Sequence, residues 1–260
     1  MKKIFLFAAQ LGRKAMDDDL FALSNELAYK ILLSFFPFLV FLVSLLGFLD
    51  LEGITLFEAL PADVAMLVGN FVEELQERPS AGLLSASLLV SIYSASNGFR
   101  AVMRGVNKTH GYRDERSFLK KTALCAGLML IFTFSILIML ILWIFSDEIL
   151  SLTPFPRLAV HLISSVISMA VLLGATAWMY RMACARRAGR IFPGACATVI
   201  LWAVVSEGFG IFVSHFSNIS IIYGSIAGVF IMIIWLNIIS FILLLGNTVN
   251  ALLTSFEEVC

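Results

Sequence analysis

Apolar positions along this chain come in long unbroken stretches. They show neither the alternation of a half-buried strand nor the two-faced period of a soluble helix. The segments 31–49, 79–99, 122–146 and 158–180 carry no formal charge and are 19, 21, 25 and 23 residues long. A spanning helix needs about 20 apolar residues to cross ~30 Å of hydrocarbon, so each segment fits one helix. After 191–206 and a lone Glu207, residues 208–256 again hold no charge. That stretch needs a dividing turn, and His215-Phe216-Ser217-Asn218-Ile219-Ser220 supplies one. The pattern predicts an all-α polytopic membrane protein with six transmembrane helices, at about 29–49, 80–99, 122–146, 158–180, 192–214 and 221–245. The whole of 1–260 reads as a single membrane domain. Only helices or closed barrels satisfy the backbone in lipid, and these runs are too long for barrel strands.

Between the spans lie an outer segment at 50–78 and basic loops at 100–121 and 181–190. After Pro61 the outer segment reads as an amphipathic helix between spans one and two, with Val64, Leu67, Val68, Phe71 and Leu75 on one face. It suits a helix lying on the membrane surface or capping the bundle, or a lid. The beginning, Met1-Lys2-Lys3 before an apolar stretch, imitates a signal peptide. Arg13-Lys14 follow without a cleavage site, so an uncleaved interfacial helix is expected, with Ile4, Phe7, Ala8 and Leu11 on one face.

Composition agrees: AVILMFWYC make up 60% of the chain and charged residues only 14%. Disorder, collagen and a disulfide mini-fold are excluded by those proportions, and no basic excess suggests nucleic acid. The formal charge is zero, 18 Lys+Arg against 18 Asp+Glu, but position changes its meaning. Sorted by alternating loops, 16 of the 18 basic residues fall on the side of the N-terminus, the second loop and the fourth loop. The other side keeps Arg78 and Arg157 with nine acids. The positive-inside rule therefore places both termini in the cytoplasm. Cys125, Cys184, Cys196 and Cys260 all fall on that reducing side, where no disulfide is expected.

Polar residues within spans are the candidate functional positions. Glu207 is the one formal charge inside a span, so it should face the bundle interior or a wet cavity. His215, two turns on, is a possible proton partner. Ser87, Ser91, Ser94 and Gly98 form a stripe on the second span with Asn97 beside it, fitting either close helix packing or a polar cavity wall. The last span starts with a G-x-x-x-G at Gly224 and Gly228 and carries Asn237, Gly246, Asn247 and Asn250. Pro37 offers a kink in the first span. On the cytoplasmic side Arg100, Arg104 and Lys108 recur every four residues and share one helix face. They either fix topology or bind anionic headgroups, each cation contributing about 1 kcal/mol.

Enzyme chemistry finds little footing. His110, His161 and His215 lie on different segments, and no metal-ligand cluster, Walker loop, nucleophile elbow or paired intramembrane carboxylates occur. No catalytic residue, metal or cofactor is expected.

Three stretches carry a resemblance to a known family. They are Leu27-Ala28-Tyr29-Lys30 through Ser34-Phe35-Phe36-Pro37; Asn97-Gly98-Phe99-Arg100 through Asn107; and Ile222-Tyr223-Gly224-Ser225-Ile226-Ala227-Gly228 through Trp235, with Leu244-Leu245-Gly246. They resemble the YihY/virulence factor BrkB family of bacterial inner-membrane proteins. Members commonly have an acid shortly after the final glycine, whereas this chain reads Gly246-Asn247-Thr248, so no role of that acid carries over to Thr248. The resemblance implies a multi-pass protein of the bacterial inner membrane. Some members are associated with serum resistance and some with export of lipopolysaccharide precursors. A ribonuclease label attached to the family is disfavoured by the lack of a nuclease-like metal constellation. The leading expectation is a transporter or flippase of an anionic amphipathic envelope lipid or metabolite, with membrane lipids as partners and a homo-oligomer left open. The alternative is a non-transporting membrane scaffold or regulatory protein of the cell envelope.

Overall fold

The computed structural model describes residues 2–48, 81–144, 157–185, 190–215 and 225–259. Among them all regular structure is α-helical: α1 (Lys2–Asp17), α2 (Leu20–Phe48), α3 (Ala81–Thr109), α4 (Phe118–Ile144), α5 (Arg157–Ala183), α6 (Phe192–His215) and α7 (Ser225–Val259). Among the described residues three stretches are long and apolar enough to cross a membrane: Leu162–Ala183, Phe192–Val213 and Gly228–Ser255. The expected spans at 29–49, 80–99 and 122–146 fall on α2, α3 and α4, which are helical through their described parts. α2 continues through Pro37 as helix. The outer segment 50–78 and most of the turn at 215–220 lie outside the described residues. One boundary differs plainly from expectation. The last helix runs on to Val259 rather than ending near 245, because no charge interrupts the chain before Glu257 and Gly246 sits inside a helix contact.

Local chemistry explains the helix ends. α1 stops at Asp17-Asp18-Asp19, where Asp19 adopts φ 53°, a left-handed conformation that Asp tolerates better than most residues. Its amide donates to the Met16 carbonyl at 3.1 Å, and Asp18 pairs back with Lys14 at 3.4 Å. α3 closes with a Schellman motif. Gly111 takes φ 67°, its amide donates to the Lys108 carbonyl at 3.0 Å, and the Tyr112 amide donates to the Asn107 carbonyl at 2.9 Å.

The chain divides into two compact units. One comprises residues 1–23, 102–204 and 241–260: α1, the end of α3, α4, α5, the first half of α6 and the end of α7. In it α4 packs along α5, and Ala15 and Leu20 are buried with Leu244. Phe21 stacks on Phe241 at 4.7 Å, and the Cys125 thiol lies 3.5 Å from the Met103 sulfur. Cys125, Cys184 and Cys196 are free thiols. The other unit comprises residues 24–101 and 205–240. There Phe209 packs against Trp235 at 4.7 Å, and the Asn237 amide donates to the Asn25 side-chain oxygen.

Candidate functional site

The densest polar assembly lies in the first unit, where the end of α3, both helix ends flanking the 184–191 connection, and the end of α7 meet. A helix leaves its last carbonyls and first amides without internal partners, and burying those ends requires substitutes. Here the substitutes are side chains remote in sequence. Asn107 is 3% exposed, and its amide nitrogen donates to the Met103 carbonyl at 2.6 Å and to the Ala183 carbonyl at 2.9 Å. Its oxygen accepts from the Ala185 amide at 2.7 Å. Arg116 donates to the Met182 carbonyl at 2.9 Å and to the Cys184 carbonyl. Asn107 and Arg116 thereby cap the C-terminal end of α5, and the guanidinium also suits the negative end of the helix dipole. Asp114 holds the arm that delivers Arg116: its carboxylate accepts from the Arg116 amide at 3.1 Å, and its carbonyl accepts from Lys121 at 3.0 Å.

α6 begins without a side-chain cap of its own, since Ile191 precedes it and Pro193 has no amide proton. Asn250 of α7 takes the place of a cap, its oxygen accepting from the Gly194 amide at 2.7 Å. The backbones must approach closely for this. A Cβ added at Gly194 would overlap the Gly246 carbonyl and the Asn250 amide, and one added at Gly246 would overlap the Thr198 hydroxyl and the Gly194 carbonyl. Small residues permit such approach between membrane helices.

Beside this crossing Tyr180 and Thr198 are fully buried and 2.7 Å apart. The Tyr180 hydroxyl is also 2.6 Å from the Leu243 carbonyl, and the Thr198 hydroxyl 2.9 Å from the Gly194 carbonyl. Two hydroxyls bring two protons to three short contacts. The Tyr180 hydroxyl donates to the Leu243 carbonyl, tying α5 to α7, and its contact with Thr198 ties α5 to α6.

Asn247, 1% exposed, donates to the Thr109 hydroxyl at 2.5 Å, and Thr109 donates to the Val106 carbonyl at 3.0 Å. His110 donates from Nδ1 to the same carbonyl at 3.0 Å and stacks on Tyr112. Desolvation pushes the His110 pKa below the usual imidazole range. The Val106 hydrogen bond opposes this, Lys14 adds to it, and Asp18 opposes it.

The residues singled out from sequence are placed differently. Glu207 is exposed on α6, outside the packed interior that was one of its two expected placements, the other being a wet cavity. Ser87 is buried, Ser94 and Asn97 are half-buried, and Ser96, which the stripe omitted, is 3% exposed. The side chains of Ser91 and His215 lie outside the described residues. Asn237 is engaged with Asn25. Of the cationic row, Arg104 and Lys108 are exposed, Lys108 pairing with Asp19 at 3.1 Å, whereas Arg100 is half-buried. The expected apolar face of α1 packs inward in part, with Phe7 and Leu11 half-buried and Ala15 buried. Sequence reasoning missed Asn107, Arg116, Tyr180, Gly194 and Thr198. Their one sequence signal is the Gly246-Asn247…Asn250 group on the last helix, which needed a partner with a glycine of its own. Among the described residues no group of three or more His, Cys, Asp or Glu stands close enough to hold a metal.

Comparison with known proteins places this architecture in a lineage. The sequence model of the family described as Virulence factor BrkB matches residues 11–258. The chain is 34% identical over 243 residues to the "ribonuclease-like protein YfkH" of Bacillus subtilis (strain 168), covering 88% of each sequence. It is 26% identical to a "UPF0761 membrane protein" of Tolumonas auensis, over 96% of this chain and 86% of that one. A UPF0761 membrane protein of Xanthomonas campestris pv. campestris (strain B100) is 24% identical over 96% of this chain, which spans 61% of that longer relative. No solved structure matches the chain. With a family match over nearly its whole length, membrane-protein relatives and helices apolar enough to span a bilayer, the chain belongs to the virulence factor BrkB family of membrane proteins.

Proposed function

We propose that this protein is a six-span protein of the bacterial inner membrane, both termini cytoplasmic, that moves an anionic amphipathic envelope lipid or metabolite between leaflets. The supporting observation is the exposure of Arg104 and Lys108 on the helix that leaves the second expected span, on the side where 16 of 18 basic residues cluster. Cations at that depth attract anionic headgroups by about 1 kcal/mol each. In this reading Arg104 and Lys108 collect headgroups at the inner face, and exposed Glu207 meets the polar part of the passing molecule. Catalysis is not part of it, and the ribonuclease-like name of the Bacillus relative suggests no residue set here that would cut RNA.

The test is reconstitution into vesicles with fluorescent phosphatidylglycerol or phosphatidylcholine. The wild type, Glu207→Gln and the Arg104→Ala/Lys108→Ala pair are compared by the fraction of label accessible to a membrane-impermeant quencher over time. Faster movement with wild type than with empty vesicles, reduced in both variants, is the expected result. Movement equal to that of empty vesicles sinks the reading for those lipids.

One observation favours the second reading, a non-transporting scaffold. The polar assembly of the first unit is buried and engaged with its own backbone, as suits a rigid platform more than a moving gate. On that reading Glu207→Gln leaves the cell-envelope phenotype unchanged, while changes in the outer segment 50–78 abolish it.

A further inference from the structure

α1 turns two different faces to its surroundings. The side carrying Phe7, Leu11 and Ala15 packs inward, and Ala15 is buried with Leu20 and Leu244. The opposite side carries Phe5, Ala9, Gly12 and Met16, spaced four, three and four residues apart, so that they form one stripe along the helix. Phe5 is 76% exposed and Met16 67% exposed, and a Cβ at Gly12 would meet nothing within 4 Å. Arg13 borders the stripe, its side chain 84% exposed and 3.9 Å from the Asp17 carboxylate. Lys2 and Lys3 begin the same helix.

Two observations say what covers this stripe. The first is level. Leu244, against which α1 packs, lies in the apolar stretch Gly228–Ser255 long enough to cross a bilayer. Phe21, just past the α1–α2 corner, stacks on Phe241 of the same stretch. Leu244 lies three residues before Asn247, which bonds Thr109 beside the Lys108–Asp19 ion pair, and charges at that level set α1 where headgroups meet acyl chains. The second is charge: α1 holds four cations, Lys2, Lys3, Arg13 and Lys14, against the single acid Asp17, the composition of a helix that lies in an anionic membrane surface with its apolar face ~5–10 Å into the headgroup boundary.

We infer that α1 is an interfacial anchor, which inserts the Phe5–Ala9–Gly12–Met16 stripe into the anionic inner leaflet beside the end of α7. Phe7 and Leu11, on the face that sequence periodicity marks as apolar, are half-buried against the protein instead. This rests on the membrane placement proposed above and is independent of any lipid movement.

The test places a tryptophan on each side of α1 in the full-length protein. Phe5→Trp and Gln10→Trp, the latter well round the helix from the stripe, are reconstituted in vesicles of phosphatidylcholine with phosphatidylglycerol. Emission of the unsubstituted protein, which carries its four native tryptophans, is subtracted. Lipids brominated near the headgroup end or near the methyl end of the acyl chain serve as quenchers. The expected result is a blue-shifted Phe5→Trp signal, quenched more by the shallow bromines than by the deep ones, with Gln10→Trp quenched distinctly less. The Phe5→Trp quenching weakens in pure phosphatidylcholine and with Arg13→Gln. Water-like emission from Phe5→Trp that neither lipid quenches overturns the anchor. So does equal quenching at both positions, since the stripe is then not the inserted face. A blue shift without bromine quenching that grows with protein density assigns the stripe to a second copy of the chain and also overturns it. Quenching unaffected by lipid charge or by Arg13→Gln overturns the anionic preference. None of these readouts measures lipid movement, so a failed anchor and a failed transporter are told apart.

Discussion

Gly246→Ala places one methyl group where α6 and α7 touch. The added Cβ overlaps the Thr198 hydroxyl and the Gly194 carbonyl and comes within 3.0 Å of the Tyr180 hydroxyl. Relief comes from parting the helices or from turning the Thr198 side chain away. Parting them stretches the Asn250 cap on Gly194, now 2.7 Å. Turning Thr198 gives up its contacts with Gly194 and Tyr180. Overpacking a close contact costs about 1–3 kcal/mol. Each lost hydrogen bond costs ~1 kcal/mol, and more when a buried group is left unmet. The expected destabilisation is about 3–5 kcal/mol. It is read from reversible unfolding in mixed detergent micelles against Gly127→Ala in the same unit, where a Cβ meets nothing within 4 Å. That control is expected to stay within about 1 kcal/mol of wild type, on the stabilising side through helix propensity. Thr198→Ala combined with Gly246→Ala supplies the cycle. Removing the hydroxyl makes room, so the double variant recovers ~1 kcal/mol or more relative to additivity. If Gly246→Ala unfolds within ~0.5 kcal/mol of wild type, the close approach does not govern stability and the reasoning fails.

Other consequences follow from the same assembly. Asn107→Ala strips the α5 end of a donor and an acceptor at once and is expected to cost about 2–4 kcal/mol in the same assay; Asn107→Asp keeps the Ala185 bond but sets a buried carboxylate against the Met103 and Ala183 carbonyls, so it costs at least as much. Arg116→Lys keeps the charge but not the two-pronged reach to Met182 and Cys184, so it should lose most of what Arg116→Ala loses; equal stability of Arg116→Lys and wild type argues against a capping role. His110 favours its neutral form in the fold because burial lowers its pKa, so its contribution to stability is present above the unfolded value of ~6.5 and declines as pH falls from there through the lower folded value. Thermal unfolding between neutral and mildly acidic pH should show that decline in wild type and a flatter profile in His110→Gln; identical profiles dismiss it. Arg104→Ala with Lys108→Ala should weaken association with anionic lipid by up to ~2 kcal/mol, less because Lys108 also pairs with Asp19, and native mass spectrometry with phosphatidylglycerol reads the change.

Some of these residues could be found on paper and others could not. Gly246, Asn247 and Asn250 stood out because polar and small residues in an apolar helix need a reason. Their partners did not stand out. Nothing near Asn107 in sequence marks it as the cap of a helix ending at Ala183, 76 residues away. Gly194 reads as an ordinary glycine after a proline until Asn250, 56 residues on, is seen to take its amide. The sequence pointed instead to Gly224 and Gly228, a motif that lies partly outside the described residues. Glu207 was the most visible residue of all, and the fold leaves its side chain exposed.

What the chain determines by itself is set by one-dimensional physics. Backbone groups in hydrocarbon must be satisfied locally, so 20-odd uncharged residues become a helix whatever surrounds them. Cations resist crossing, so their distribution along the chain carries the orientation. α1 is an intermediate case: its amphipathic character was legible, but two of its faces carry apolar residues, and only packing against Leu244 decides which one is left for lipid. Helix partners are decided by the tertiary structure alone. In a bilayer, apolar faces gain little by finding one another, because lipid tails are as apolar as leucine. Close glycine contacts and side-chain caps must make the choice, and each depends on the meeting of two residues that the sequence holds far apart.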